Sequence, residues 1–259
     1  MSELRIGLIV PTLGLRNQYL QECLESIRRA GDAHVVIVTP NPQAIKDQYS
    51  TNLYDQIVLD GGKGLAAAIN LGISVAPNHL QYVSWLGDDD LLEPNSLYAT
   101  SAVLDGEDDV VFVYGSCNYI DSRGSIIFVN KSGNYAKTLM RFGPQLIPQP
   151  GSLFRRSTFE AVGELDNTLK WAFDLDLFIK LAKVGRMRFI PQTVSSFRWH
   201  AQSLSVGGRQ GSVKEASAVR RSSLPGAIRP LSPLWELPLR RLILYVGLLV
   251  NFRTNSGKK

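Results

Sequence analysis

The sequence predicts an α/β fold: a mostly parallel central sheet flanked by helices, with a small antiparallel addition and a helical C-terminal tail. Apolar runs of strand length alternate with helical patterns over residues 4–86, which is typical of parallel strands joined by right-handed helical crossovers. Residues 110–120 and 124–129 flank a turn-rich Asp-Ser-Arg-Gly link, which predicts an antiparallel hairpin. In open sheets of this kind, ligands bind beyond the carboxyl ends of the strands.

Each predicted element rests on a local signal. The first apolar run ends at Pro11, the first helical pattern at Gly31 and the second at Pro77, since Pro and Gly disfavour continuation. A later helix starts with an aspartate and ends at Gly185. The predicted strands cover residues 4–10, 34–38, 56–59 and 81–86. The predicted helices cover residues 18–31, 64–76, 93–104, 134–143 and 173–185, with a Pro- and Gly-rich loop at 144–152.

The composition indicates a soluble globular protein, with 259 residues of which 44% are hydrophobic. Two cysteines, Cys23 and Cys117, are too few for a disulfide framework and do not suggest a thiolate metal site. Residues 1–14 lack the basic segment and the long apolar core of a secretory signal. We therefore expect a cytoplasmic protein.

The charge is unevenly distributed along the chain. Residues 180–259 contain 15 basic and two acidic side chains, a net charge of +13, whereas residues 1–179 have a net charge of −8. Such a basic segment is typical of contact with nucleic acid or anionic lipid, or serves solubility. The sequence has no aromatic–basic interleaving or zinc-ligand spacing, so a nucleic-acid partner is not expected.

The tail contains nine consecutive apolar residues, 242–250, well short of the roughly 20 that span a bilayer. The basic side chains around this run are Arg240, Arg241, Arg253, Lys258 and Lys259. Two interpretations stay open. The tail either contacts an anionic membrane peripherally, at the inner face of the plasma membrane, or packs as a helix on the rest of the chain or on the second subunit of a homodimer.

Three adjacent carboxylates, Asp88, Asp89 and Asp90, follow the strand predicted at 81–86. One aspartate would suffice to cap the next helix, whereas three like charges at the end of a buried strand require a compensating positive charge. We therefore predict a metal or ligand site there. Asp174 and His200 each have a structural alternative, as a helix N-cap and as a surface or core residue respectively.

Five segments occur in the order and approximate spacing of family-2 glycosyltransferases, so that residues 4–206 resemble this family, which has the GT-A fold. The segments are IGLIVPTLGLRNQYLQECLESI, GLAAAINLGISVA, SWLGDDDLLEPNSL, QPGSLFRRSTFEAVGELDNTLKWAFDLDLFIKLA and FRWHAQSLS. The resemblance implies a catalytic domain at 1–206, with a nucleotide-sugar-binding half at about 1–115 and an acceptor half at 116–206. A basic helical tail follows at 207–259.

The resemblance also implies an inverting, metal-dependent transfer of a sugar from a nucleotide-sugar donor to a hydroxyl of a cell-envelope glycan or glycolipid. The triplet is similar to the family's DxD motif, which implies Mn²⁺ or Mg²⁺ on Asp90 and Asp88, and the donor ribose on Asp89 or Asp88. His200 matches a histidine that contacts the metal or the diphosphate. Gly87 stands where the family often has its first aspartate, so the division of roles within the triplet stays open.

Asp174 matches the family's catalytic base, which takes the proton of the acceptor hydroxyl as that oxygen attacks the anomeric carbon. Phe173 replaces the glutamate that usually precedes the base, and Asp176 is interpreted as a structural partner. On the donor side, the matching positions are Pro11, Thr12, Thr39, Gly64 and Asn70. On the acceptor side they are Gln149, Gly151 and Trp171. The nucleotide base stays open, because Thr39 and Asn41 stand where the family usually has aspartates.

Two other functional classes stay open. A nucleotidyltransferase shares a Rossmann-like half and a carboxylate metal site, but residues 11–18 contain one glycine and one arginine rather than a Gly-rich basic signature. A non-catalytic sugar- or nucleotide-binding relative is compatible with the substitutions at Gly87, Thr39 and Phe173.

Overall fold

The computed structural model describes residues 4–131, 133–200, 209–239, 241 and 245. Within these residues, nine strands form one mixed sheet. The strands are β1 Ile6–Pro11, β2 His34–Thr39, β3 Gln56–Leu59, β4 Tyr82–Trp85, β5 Leu91–Leu92, β6 Val110–Ile120, β7 Ile126–Asn130, β8 Leu153–Arg155 and β9 Arg186–Arg198. The helices are α1 Asn17–Ala30, α2 Pro42–Gln48, α3 Leu65–Val75, α4 Ser96–Gly106, α5 Ala136–Leu139, α6 Arg156–Ala161, α7 Phe173–Val184 and α8 Arg209–Ser223.

The sheet has the order β3-β2-β1-β4-β8-β6-β9-β5, with β7 paired to β6. The first four strands of this order are parallel, as are β6 and β9. β8 runs antiparallel to both β4 and β6, and β5 runs antiparallel to β9. The predicted α/β class, with its parallel core, is therefore confirmed, and the predicted hairpin is the antiparallel β6–β7 pair.

Strands β1 and β2 are continuous apolar runs because both faces of the sheet are covered. Alternate residues of β1 enter two hydrophobic cores: Ile9 packs with the α3 and α7 side, whereas Leu8 and Val10 pack with α1. α3 lies very close to the sheet at Gly72, where an added Cβ would come within 2.5 Å of Ile9 Cγ2 and 3.0 Å of Val38 Cγ2. A side chain at this position would therefore push the helix off the sheet.

Aromatic rings connect the middle of the sheet to α7. The Trp85 and Phe154 rings stack at 5.4 Å between centroids, Phe154 and Phe112 at 4.8 Å, and Phe112 and Phe178 at 4.7 Å. These residues belong to β4, β8, β6 and α7 in turn. The stack connects α7, which carries Asp174, to β4, which leads into Asp88, Asp89 and Asp90.

Several elements differ from the sequence prediction. α2, β5, β8, α6 and β9 were not predicted, and the helix expected at 134–143 is reduced to one turn, α5. The sequence of β9 does not show a regular strand pattern, because Pro191 and Gln192 interrupt it. The register of its pairing with β6 shifts at Gly115 and Ser116. The strand forms because β6 offers it a long partner.

The C-terminal helix α8 packs on α7. Val219 of α8 belongs to the same core as Phe173 and Phe178 of α7. In the part of the chain that the structure describes, no helix is both long and apolar enough to cross a bilayer. Residues 242–244 and 246–259 lie outside the described residues, so the membrane and homodimer contacts expected of the tail stay predictions.

Candidate active site

The candidate site lies where the carboxyl ends of β1 and β4 meet, as the parallel pairing of these strands requires. β4 leads through Gly87 into Asp88, Asp89 and Asp90, which are buried at 4%, 8% and 4% exposure. The Thr12 hydroxyl, directly after β1, donates to Asp88 Oδ2 at 2.6 Å. The structure thus brings the triplet and Thr12 together in a position where uncompensated charge is costly.

A guanidinium and an imidazole face two of these carboxylates. Arg16 bridges them, with Nη2 2.5 Å from Asp88 Oδ1 and Nη1 2.5 Å from Asp89 Oδ2. His200 Nε2 lies 2.7 Å from the same Asp89 oxygen. The compensating positive charge that the triplet requires thus comes in part from Arg16, which the sequence analysis did not single out. Its position in the loop after β1 was the available signal.

Arg198, the last residue of β9, is 1% exposed and is held from several sides. Its backbone N–H donates to Asp90 Oδ1 at 2.9 Å, and its Nε donates to the Asp89 carbonyl oxygen at 2.9 Å. Its Nη2 pairs with Glu22 at 2.7 Å, and its guanidinium lies 4.3 Å from the centroid of the Tyr19 ring. Arg198 therefore fixes the end of β9 against the triplet.

The three carboxyl groups differ in their affinity for a proton. Burial raises the pKa of Asp88, with the hydroxyl and guanidinium contacts opposing the shift. Burial raises the pKa of Asp90 well above its ordinary value, and the negative charge of Asp89 adds to the shift. Burial also acts to raise the pKa of Asp89, but the hydrogen bond with His200 and the charge of Arg16 outweigh it, so that this pKa is lowered.

The donor chemistry of the triplet suits a hard divalent cation, because Mg²⁺ and Mn²⁺ prefer carboxylate oxygens. The arrangement is not a finished coordination site: Thr12 and Arg16 engage both oxygens of Asp88. Among the described residues, no three His, Cys, Asp or Glu side chains are grouped to hold a metal ion. A cation at Asp88 would therefore compete with Thr12 and Arg16 for these oxygens.

Asp174 lies in the first turn of α7, where its Oδ1 accepts a hydrogen bond from the Leu175 N–H at 2.7 Å. Its Oδ2 accepts one from Gln145 Nε2 at 2.8 Å. Burial raises the pKa of Asp174, the two hydrogen bonds act in the opposite direction, and the charge of Glu215 adds a further increase. The result is a carboxylate in a defined orientation whose proton affinity is higher than usual.

Contacts around Trp85 connect Asp174 to the triplet. The Phe173 ring lies 6.3 Å from the Trp85 ring, and Gln149 Nε2 donates to the Trp85 carbonyl oxygen at 2.8 Å. Burial raises the pKa of the Tyr119 phenol, and the negative charges of both Asp90 and Asp174 contribute to the shift. The predicted base, Gln149 and the triplet therefore lie around one end of β4.

Glu215 of α8 acts as a cap for the loop that precedes α7. Its two carboxylate oxygens accept the backbone N–H groups of Lys170, Trp171 and Ala172 at 3.0, 2.6 and 2.7 Å. The Trp171 ring packs on Gly211, where an added Cβ would lie 2.5 Å from Cη2. Trp171 thus joins α8 to the loop that precedes α7, and its acceptor role stays a prediction.

The remaining positions predicted on the donor side have structural contacts of their own. The Asn70 carboxamide donates to the Leu165 carbonyl oxygen at 2.9 Å and accepts from the Leu165 N–H at 3.2 Å, which fixes the loop before α7. Thr39 is fully buried at the end of β2, and its Oγ1 accepts from the Asn41 N–H at 3.3 Å. Gly64 is the N-cap of α3, with φ of 99°.

Two further predicted positions are backbone features. Pro11 is the last residue of β1, directly before Thr12. Gly151 has φ of 76°, in the left-handed region that favours glycine, and an added Cβ would lie 2.8 Å from Val194 Cγ2. Binding roles for these residues and for Thr39, Gly64 and Asn70 stay predictions.

Residues 8–163 match the family model described as "Glycosyl transferase family 2". Similar curated proteins include an uncharacterized glycosyltransferase of Rickettsia typhi, 28% identical over 211 residues that cover 75% of this chain and 64% of the relative. The chondroitin synthase of Pasteurella multocida is 22% identical over 226 residues, which cover 85% of this chain and 23% of that protein. The chain thus spans less than two thirds of these relatives.

Solved structures share the fold at low sequence identity. The S. aureus TarS 1-349 complex with UDP-GlcNAc has a TM-score of 0.66 at 13% identity, covering 87% of this chain and 69% of that one. The mannosyltransferase PcManGT from Pyrobaculum calidifontis, in complex with GDP-Man and Mn²⁺, has a TM-score of 0.63 at 16% identity. That match covers 99% of this chain and 80% of the other.

Proposed function

The chain belongs to glycosyl transferase family 2, and from this we propose that it moves a sugar from a nucleotide-sugar donor to a hydroxyl of a cell-envelope glycan or glycolipid, with inversion at the anomeric carbon. The observation that carries the proposal is the pairing of two acidic centres around the end of β4. One is the buried triplet, and the other is the oriented carboxylate of Asp174. Family membership favours this activity over the nucleotidyltransferase alternative.

The donor is proposed to bind at the triplet edge of the sheet. The carboxyl ends of β1, β2 and β4 converge there, and such ends are the usual nucleotide sites of open α/β sheets. Asp88 and Asp90 would hold the divalent cation, with His200 beside it, and Asp89 would contact the ribose. When bound, such a cation neutralises the charge that develops on the departing diphosphate.

Asp174 is proposed as the general base. Its oxygens accept hydrogen bonds from Gln145 and Leu175, so the carboxylate is held in one orientation. Its raised pKa increases its affinity for the proton of an acceptor hydroxyl. The acceptor would approach from the side of Gln149 and Gly151, where the loop is fixed to Trp85.

Replacing Asp174 by asparagine tests the proposal. Asparagine keeps the size of the side chain and one acceptor oxygen, so we expect a folded protein that binds donor with metal and transfers sugar about 10²–10⁴-fold more slowly. Titration of UDP and GDP with and without Mn²⁺ measures binding, and product formation measures transfer once an acceptor is known.

Asp176→Asn is the matched control. This residue lies in the same helical turn, but it pairs with Lys180 at 2.7 Å, so its loss should leave transfer near wild type. Turnover of Asp174→Asn within a few-fold of wild type would show that the base has been assigned wrongly. A wild-type protein that binds nucleotide and transfers no sugar to any acceptor would support the non-catalytic alternative.

A further inference from the structure

Arg16 occupies an unusual position for an arginine that faces an acidic site. Its two terminal nitrogens contact different carboxylates, Asp88 and Asp89, each at 2.5 Å. A guanidinium more often grips both oxygens of one carboxylate. In this bridging position its single positive charge is shared by two buried carboxylates, whereas a divalent cation would bring two positive charges to the triplet.

Arg16 is also placed to leave this position. Its side chain is 27% exposed, whereas that of Arg198 is 2% exposed. The residues just before it, Leu13 and Leu15, are 63% and 79% exposed, and Gly14 has φ of 70°, so few packing contacts hold this segment. Of the two arginines at the triplet, Arg16 is therefore the one that can move without disturbing the core.

We propose that Arg16 is a resident counter-ion of the triplet, which a divalent cation must displace in order to bind. This inference rests on the proposed function, since it assigns the order of events at the same site. The cation would take Asp88 Oδ1, which the guanidinium releases, together with Asp90, and the released Asp89 Oδ2 would become available to the donor ribose. Without the metal, Arg16 keeps the two carboxylates from repelling each other in their buried position.

The displaced guanidinium then has a second partner. A nucleoside diphosphate brings phosphate oxygens to the same edge of the sheet, and guanidinium groups bind phosphates with paired, charge-assisted hydrogen bonds. Displacing Arg16 opposes the binding of metal alone, whereas Arg16 assists the binding of metal together with diphosphate. Metal and nucleotide therefore bind with positive cooperativity, and that coupling depends on Arg16.

The test is Mn²⁺ binding to the full chain without nucleotide, measured by the loss of the free Mn²⁺ signal in electron paramagnetic resonance. We expect Arg16→Met to bind Mn²⁺ about tenfold more tightly than wild type, because the competing cation is gone. Arg29→Met is the matched control, since Arg29 is 58% exposed on α1 and pairs loosely with Glu25 at 3.8 Å. The affinity of Arg29→Met for Mn²⁺ should equal that of wild type.

The titration is then repeated with saturating UDP or GDP, whichever binds the wild type. Nucleotide should increase the affinity of wild type for Mn²⁺. In Arg16→Met this increase should be about tenfold smaller, because no guanidinium is present to bind the diphosphate. Adding Asp90→Asn to Arg16→Met should remove the tight Mn²⁺ site, which locates the metal at the triplet. Should Arg16→Met fail to fold, Arg16→Lys replaces it, because one ammonium cannot bridge both carboxylates, and a smaller gain in affinity is expected.

The outcomes separate the two proposals. If Arg16→Met binds Mn²⁺ no more tightly than wild type, and Asp90→Asn abolishes Mn²⁺ binding in wild type, the proposed role of Arg16 is overturned. The metal-dependent function then still stands. If neither wild type nor Arg16→Met binds Mn²⁺, and both bind nucleotide equally well with and without it, the metal assignment and the inference are both overturned. Tighter Mn²⁺ binding with reduced coupling supports the proposal.

Discussion

Three identical side chains in a row behave differently because each meets a different partner. Asp89 accepts from His200 and Arg16, and its pKa is lowered. Asp90 accepts only the backbone N–H of Arg198 among the contacts described for it, and burial raises its pKa. At the residue scale, the sequence thus specifies the number of carboxylates at the end of β4, and their burial and partners specify the proton affinity of each.

The hydrogen bond from Gln145 allows a prediction about the pKa of Asp174, the proposed base. Its amide donates to Asp174 Oδ2 and so favours the ionised carboxylate, against the burial that raises the pKa. Replacing Gln145 by leucine should raise the pKa of Asp174 by a further unit or so, since a hydrogen bond to a charged group contributes about 1.5–3 kcal/mol. The base must be ionised to act, so activity falls as the pH drops through its pKa.

The acid limb of kcat/KM for Gln145→Leu should therefore move to higher pH by about one unit, with little change at alkaline pH. The pH profile of sugar transfer measures this. Gln43→Leu, which removes an exposed hydrogen bond to Asp47 on α2, is the control and should keep the wild-type profile. An acid limb that stays in place or moves to lower pH would contradict the prediction.

At the scale of elements, close packing of α3 on the sheet depends on one glycine. α3 starts at Leu65, after the loop 60–64 that follows β3, and it approaches β1 and β2 closely because Gly72 has no side chain. Replacing Gly72 by alanine should lower the free energy of unfolding by about 1–3 kcal/mol, because the new methyl group overlaps Ile9 and Val38. Urea denaturation measures the loss.

Gly106→Ala provides the comparison. Gly106 is the exposed last residue of α4, and an added Cβ meets nothing within 4 Å there. This substitution should be neutral or slightly stabilising, by up to about 1 kcal/mol, because alanine loses less conformational entropy in a helix. If both substitutions change the free energy of unfolding equally, the close packing of α3 on the sheet does not explain the glycine at position 72.

At the scale of the whole molecule, α8 packs on α7 and on the loop before it, and the residues after α8 contact α8 and Phe142. Val219 enters the main core, Glu215 caps the loop before α7, and Arg221 pairs with the buried Glu236 at 2.5 Å. The Phe142 ring, after α5, lies 6.2 Å from the ring of Trp235. These contacts bear on the domain boundary predicted at 206, which no measurement has tested.

Two truncated chains test that boundary. A chain that ends at residue 206 loses Glu215 and Val219 and should lose at least about 2–3 kcal/mol of stability, from the freed N–H groups and the exposed apolar surface. A chain that ends at residue 239 keeps these contacts and should unfold at the wild-type temperature. Thermal unfolding measures both. Equal melting temperatures for the two chains would make 1–206 an independent domain, as the sequence predicts.

The sequence predicts what depends on local pattern and leaves open what depends on distant partners. β1, β2 and α1 follow from buried runs and helical spacing, and the triplet follows from charges at a strand end. β8 has three residues and β9 is interrupted by Pro191, so both depend on the neighbours they pair with. The contact between Arg16 and Asp88 joins positions 72 residues apart, which no periodicity encodes.

The parallel pairing of β6 with β9 also bears on how the chain folds. It joins residues 110–120 to 186–198, and such distant pairings close late because they lose the most chain entropy before they gain contacts. The units from β1 to β4 are local, so we expect the triplet to be presented early, with its carboxylates still solvated by water. Only when β9 docks does Arg198 arrive and bury them, so the site closes in the same step that completes the sheet.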